Sequence, residues 1–341
     1  MSVLNAKHFH DEEAAFAELE AILWPDGPVC AHCGALDRIY GLKGVRTKPS
    51  KKHPEGVVRH GLKKCGHCRQ QFTVRVGTVF EDSHAPLHKW FQAIHLLCSS
   101  KKGISSHQLH RILEVQYNTA WFMSHRIREA MRVGGLEPPM GGEGRVVEVD
   151  ETIFGRAAPH PKGRRPKQTV AKMRITNSAH KNVILSLVER GGGVRSYHIE
   201  GSTVAQVIPI VEANVSHETA VMTDSAQMYK RRRLSDRFAS HDRVDHSKEE
   251  WARYEDGRPV IHTNTVEGYF SVFKRGMRGT YQHCKEKHLH RYLAEFDFRY
   301  NNRSRLGVED KERATKAITG AKGKRLTYRR PDATRAATQE E

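Results

Sequence analysis

Residues 145–154 read RVVEVDETIF and residues 219–229 read TAVMTDSAQMY. Each opens as a short β-branched, apolar run, the composition of a buried strand. Each then reaches an aspartate, Asp150 in the first and Asp224 in the second. Between them, KNVILSLVERGGGVRSYHIEG (181–201) reads as two strands around a Gly-Gly-Gly turn. STVAQVIPIVEANV (202–215) reads as a helix capped by Ser202 and bent or limited by Pro209. FASHDRVDH (238–246) is a further strand, and KHLHRYLAEFDFRYNN (287–302) a late amphipathic helix. Three strands, a helix, a strand, a connecting segment, a strand and then helices make an α/β layout with a mixed sheet. In such a sheet the first and fourth strands can lie side by side, and ligands bind in the crevice at strand ends. With Asp150 and Asp224 each ending a strand, both fall in one crevice.

A third acid comes from HTNTVEGYFSVFKRGMRGTY (262–281). Val266, Tyr269, Phe270 and Phe273 recur at helical spacing and form an apolar stripe. Glu267 borders that stripe, and Lys274 lies about two turns further along the same line. A helix packed across the sheet edge brings Glu267 to the two aspartates. Three converging carboxylates repel one another unless cations sit between them. Two divalent ions about 4 Å apart supply that charge and clamp both oxygens of a phosphodiester displacement. Magnesium, or manganese, suits an all-oxygen site. Taken singly, each acid is an ordinary turn or surface residue, and Glu148, Glu151, Asp245 and Glu249 are rivals. Glu148 even shares a strand face with Asp150. His262 and Asn264 stand beside the third acid, and the sequence assigns neither a role.

Cys30, Cys33, Cys65 and Cys68 form two CxxC pairs; Cys98 and Cys284 stand alone and read as structural thiols. Four thiolates from two knuckles match a tetrahedral zinc ion, and a closed four-ligand site is structural rather than catalytic. A redox couple or an iron–sulfur cluster are the other uses of such pairs. The 31 residues between Cys33 and Cys65 exceed the usual gap, so an insertion separates the knuckles.

The formal net charge is +18, which points to a polyanionic partner, nucleic acid first. No apolar run is long enough to span a bilayer, and the N-terminus has no signal-peptide pattern. A cytoplasmic protein, associated with the bacterial nucleoid and not with a membrane, is expected. Residues 1–85 hold one short helix ended by Pro25 and the two knuckles. Residues 86–132 carry three helices; the last two, joined by a short turn, follow a helix-turn-helix pattern with Arg126 and Arg128 placed for base reading. VGGLEPPMGGEG (133–144) is a linker, and 145–302 form the α/β domain. Residues 303–341 hold 11 Lys/Arg against 6 Asp/Glu and read as a basic, mobile tail. Two further basic stretches, with Arg164 and Arg165 in one and Lys230 and Arg231 in the other, are candidates for phosphate contacts.

VEVDETIFG, MTDSAQMY, VDHSKEEW, HTNTVEGYFSVFKRGMRGTY and HLHRYLAEFDFRYNNR together resemble insertion-sequence transposases of the Asp-Asp-Glu type, in the ISXO-type branch with an N-terminal zinc ribbon. The resemblance covers roughly residues 15–305 and departs at 155–180, which is longer and more basic. It implies an RNase H-like catalytic domain. It implies Asp150, Asp224 and Glu267 as metal-binding catalytic acids, and Lys274 as the basic residue beside the DNA. It implies cleavage at the ends of a mobile element and transfer of the freed 3′-hydroxyl to target DNA. The partners are then the terminal inverted repeats and target DNA, bound by a homodimer or a higher oligomer. Two other functions fit the same modules. A non-enzymatic zinc and helix-turn-helix regulator would have no use for the three acids. A structure-specific nuclease of the same fold would cut but not join.

Overall fold

The structure, a computed structural model, describes residues 3–51, 53–135, 137–155, 181–229 and 234–327. Its contacts divide the chain into two units. The first takes in residues up to 95, 106–131 and the segment from 314 onward. Its helix α1 (Glu12–Leu23) is capped by Asp11, whose carboxylate accepts the Ala14 amide at 2.7 Å. A three-stranded sheet follows, β1 (Ile39–Gly41), β2 (Lys63–Cys65) and β3 (Gln71–Phe72), all antiparallel. Next come α2 (Leu87–Ser99), α3 (Ser106–Leu113) and α4 (Tyr117–Met131). Glu12 of α1 accepts the Leu87 amide at 2.8 Å, so the first helix satisfies an open donor at the start of the second.

Helices α3 and α4, joined by a short turn, match the expected pattern, but α4 is no groove reader at the expected positions. From Met123 to Met131 every residue of α4 is buried. Arg126 donates to the carbonyls of Val79 (2.9 Å), Glu81 (2.6 Å) and Leu326 (3.0 Å). Arg128 is buried and donates to Ser124 Oγ at 3.0 Å. Both guanidinium groups are held inside the unit, because a buried charge needs every partner it can find. The expected mobile tail is likewise folded through residue 327. Ala317, Ile318 and Ala321 are buried, and Lys324 donates to the Ala130 carbonyl at 3.1 Å.

The second unit spans 96–105 and 132–313. Its sheet contains β4 (Val146–Phe154), β5 (Asn182–Glu189), β6 (Val194–Ile199), β7 (Ala220–Asp224) and β8 (Ser240–Val244). The spatial order is β6-β5-β4-β7-β8. The first three strands are antiparallel, and β7 and β8 run parallel to β4. That is the RNase H-like sheet. Helix α5 (Val204–Asn214) runs through Pro209, which removes one amide without ending the helix. Its cap position is Thr203, one residue after the expected Ser202.

Strand alternation splits the apolar residues into two cores. Val147, Val149, Leu185, Leu187 and Val221 face α5 on one side. Phe154, Ile184 and Val188 face α6 (Asn264–Gly276) and α7 (Leu289–Asn301) on the other. On α6 the expected stripe is buried, Val266, Tyr269, Phe270 and Phe273 together. Each such side chain contributes about 2 kcal/mol by leaving water. The helix continues into a π-helical turn, Met277–Tyr281.

Three features go beyond the sequence reading. A hairpin, β9 (Ala252–Glu255) and β10 (Arg258–His262), occupies the connection between β8 and α6. A helix, α8 (Asp310–Thr319), follows α7. The second half of the expected linker joins the sheet domain: the Met140 amide bonds to the Asn214 carbonyl at 2.7 Å, and Gly141, at φ +85°, sits against Thr219 where a Cβ would clash. Among the described residues no helix is long and apolar enough to cross a membrane.

Candidate active site

Strands β4 and β7 pair in parallel from Val146↔Ala220 to Val149↔Thr223, where the ladder stops. Asp150 and Asp224 are the next residues on the two strands. They are level with one another and on the same face, on strands about 4.8 Å apart. Asp224 ends β7, as expected. Asp150 does not end β4, which runs on to Phe154 paired with β5. The two aspartates therefore sit where β4 and β7 stop pairing. Asp150 Oδ1 accepts the Glu151 amide at 2.7 Å, and Asp224 Oδ1 accepts the Ala226 amide at 3.0 Å. These bonds fix both carboxylates at the strand margin.

Glu148, on the same face as Asp150, is fully buried. Its carboxylate accepts the amides of Thr265 (2.7 Å) and Val266 (3.0 Å) and the Thr265 hydroxyl (2.8 Å). Arg190 Nε lies at 2.6 Å and His262 Nδ1 at 3.1 Å. Arg190 also donates to the carbonyls of Val260 (2.6 Å) and His262 (2.8 Å). Glu148 thus docks the first turn of α6 onto β4 and fills donors that a helix start leaves open. It is a clamp, and His262 belongs to that clamp. Glu267 lies within a turn of it, half exposed, where the Thr263 hydroxyl donates to its carboxylate at 3.0 Å.

His246 Nε2 stands 3.4 Å from Glu267, with its ring against Trp251 at 4.9 Å. The sequence reading gives His246 no role, although VDHSKEEW carries it. The other rivals are placed elsewhere. Glu151 points to the opposite face, where the Tyr229 hydroxyl donates to it. Asp245 caps the His246–Lys248 turn, and Glu249 is exposed at φ +59°. Asn264 is exposed. Arg164, Arg165, Lys230 and Arg231 lie outside the described residues.

The charges act on one another. Burial first, then the Asp224 charge and more weakly Glu267, push the Asp150 carboxyl up to about 7; the Glu151 amide and Lys274 oppose them. Burial and the Arg278 charge hold Lys274 below its usual range, against the pull of Asp150. Asp150, Asp224, Glu267 and Lys274 therefore share one electrostatic neighbourhood. Three carboxylates with one lysine among them are short of positive charge, and their oxygens suit magnesium or manganese.

Burial also pushes Glu151 up to about 8. In the unfolded chain such carboxyls lose their protons near 4. The folded protein therefore binds more protons between about 4 and 8, and its stability falls as pH rises through that window. The metal-free melting temperature should drop between pH 5 and pH 8, and magnesium should restore more of it at pH 8 than at pH 5. A flat profile with no magnesium effect would show that the acids are not crowded as described.

The four cysteines form a second centre. Their sulfurs lie within 4.8 Å of one another, with Cys30–Cys68 and Cys33–Cys65 both at 3.6 Å. A tetrahedron of zinc–sulfur bonds of ~2.3 Å has edges of about 3.8 Å, so the spacing fits zinc. For Cys30, burial raises the thiol pKa, but the Cys33 and His32 amides outweigh it and bring it down to about 7. For Cys68 the Gln70 amide lowers it, but burial and the neighbouring sulfurs push it up to about 12. Four thiolates share this space only with a cation. Around them only Phe72 and the half-buried Trp24, Ala35, Ile39 and Val76 are packed, too little to hold a fold alone. Chelation, or Cys65→Ser, should release one zinc per chain and unfold residues 30–72, seen as loss of amide exchange protection confined to that region. Retained protection without metal would make the ribbon self-sufficient.

Comparison with known proteins places the two parts of the chain beside two transposase family models. Residues 141–301 match the ISXO2-like transposase domain, and residues 10–71 match the transposase zinc-ribbon domain. A relative from Halobacterium salinarum, described as an uncharacterized protein in transposable element ISH50, is 26% identical over 314 residues, covering 87% of this chain and 93% of that protein. The crystal structure of a pre-cleavage Mos1 transpososome aligns over 70% of this chain and 80% of that one, at 12% identity and a TM-score of 0.20.

Proposed function

The chain carries a transposase zinc ribbon followed by an ISXO2-like transposase domain, and from that premise we propose that it cuts and joins DNA at the ends of an insertion element. The observation that carries this reading is the register of β4 and β7, which sets Asp150 and Asp224 level with one another where the two strands stop pairing.

Asp150, Asp224 and Glu267 would hold magnesium, which when bound would supply positive charge to the attacking water and to the leaving oxygen. The protein's own residues do the positioning. Asp150 and Asp224 are fixed by backbone amides at the strand margin. Glu267 is aimed by Thr263 and by the Glu148 clamp beneath α6. Lys274, on the same helix edge, faces Asp150 and offers an ammonium to a DNA phosphate. Water attacks the phosphorus at the element end, the bond to the 3′-oxygen breaks, and that oxygen takes a proton. The freed 3′-hydroxyl then loses its proton as it attacks a target phosphodiester, whose own 3′-oxygen leaves. No covalent enzyme intermediate is needed. Bringing two ends together calls for at least two copies of the chain on DNA.

A labelled duplex carrying the sequence that flanks the gene tests this. With magnesium, the protein should nick at the element end and join the 3′-hydroxyl to a second duplex. Cutting without joining would favour a nuclease. Binding with neither would remove the catalytic claim.

A further inference from the structure

The insertion between the zinc knuckles is built, and it has no core. Residues 42–47 and 57–62 run back along one another as a short two-stranded ribbon. The Leu42 amide bonds to the Leu62 carbonyl, Arg59 to Val45 and Thr47 to Val57, each at 2.8 Å, with an antiparallel bridge between Arg46 and Val58. The Val57 amide also donates to the Thr47 hydroxyl at 2.9 Å. Gly56, at φ +70°, lies so close to the Thr47 carbonyl that any Cβ would collide with it. Ordering these residues costs roughly 1–2 kcal/mol each in backbone entropy. Among the described residues, none between 43 and 61 joins the apolar cluster around the cysteines.

What the ribbon presents is charge. From Lys43 to Lys64 there are eight Lys/Arg and a single acid, Glu55, itself beside Arg46 at 3.7 Å. Lys43, Arg46, Lys48, Lys51, Arg59 and Lys64 are exposed. The paired stretch from Leu42 to Thr47 spans about 17 Å, the length of several phosphates along a duplex. A two-stranded β-ribbon also matches the width of the major groove.

We propose that this ribbon is a DNA-binding arm that lies along the duplex and contacts its phosphates. The inference rests on the reading of DNA as the partner and adds where the chain grips it. The arm takes the place of Arg126 and Arg128, whose guanidinium groups are buried. Phosphate contacts by lysine carry no base preference, so the arm supplies affinity and orientation rather than sequence choice.

The test is binding of full-length protein to two labelled duplexes, one with the element's terminal sequence and one unrelated, across a salt series. Lys43→Ser, Lys48→Ser and Lys51→Ser are combined; none of the three is engaged with the zinc sheet. The triple variant should keep one zinc per chain. It should bind both duplexes about 10- to 100-fold more weakly at 0.1 M salt, with the slope of log affinity against log salt reduced by roughly 2–3. The matching triple replacement by arginine should restore both. Native affinity and slope in the serine variant would overturn the arm while leaving the DNA reading intact. A native protein that binds neither duplex at low salt would overturn both together.

Discussion

Asp150→Asn should leave duplex binding unchanged, reduce strand cleavage by at least about 10³-fold, and raise the melting temperature of the metal-free protein at pH 8. The two effects share a cause. The Asp150 carboxyl is pushed up to about 7 by burial and by the Asp224 charge. Holding it ionised at pH 8 therefore costs on the order of 2–4 kcal/mol of folding free energy. Asparagine keeps the shape and removes the charge. The protein gains that stability and loses a proposed metal ligand; an ion held there would supply several kcal/mol to the transition state, about tenfold in rate for each 1.4 kcal/mol. The stability gain should shrink as pH falls and vanish below about pH 4, where Asp150 is protonated in the unfolded chain as well as in the folded one. Loss of activity together with loss of stability at every pH would mean that Asp150 is a structural residue.

Glu148→Ala should be the most damaging single change to the second unit. Glu148 is fully buried against Arg190 and beneath the Thr265 and Val266 amides. Removing one partner of a buried pair costs about 3–5 kcal/mol, because the other charge is left without compensation. The two amides add about 1 kcal/mol as a lost cap. For a unit of this size that amounts to roughly 10 °C in melting temperature. Replacing Glu148 and Arg190 together by apolar residues should cost less than Glu148→Ala alone, since no charge is then stranded. Equal losses in the single and double variants would show that the pair is not coupled.

The strands and their aspartates were legible because β-branched runs ending in turns are distinctive, and their order forces β4 beside β7. The apolar stripe of α6 was legible by its period. The standing of Glu148 was not. Period-two alternation puts it on the same face as Asp150, and only the arrival of the α6 N-terminus over it separates a clamp from a candidate ligand. Arg126 and Arg128 look like surface bases in a helix rich in charge. Their burial depends on carbonyls from residues 79, 81 and 326, which no local pattern announces. The C-terminal segment was misread for the same reason, since short helices with few large apolar residues are ordered by what they pack against. The β9–β10 hairpin carried its own signal. Asp256 and Gly257, at φ +48° and +73°, form the kind of turn that joins two-residue hairpins, but the flanking strands are charged and short.

Asp150, Asp224 and Glu267 are proposed to form one metal-dependent phosphodiester site. Cleavage of an element-end duplex in magnesium, measured side by side for Glu267→Gln and Glu249→Gln, tests it most directly. Glu267→Gln should bind the duplex and neither cut nor join it, and Glu249→Gln, which changes an exposed acid just after the His246–Lys248 turn, should do both at the native rate. Native cleavage by Glu267→Gln would contradict it.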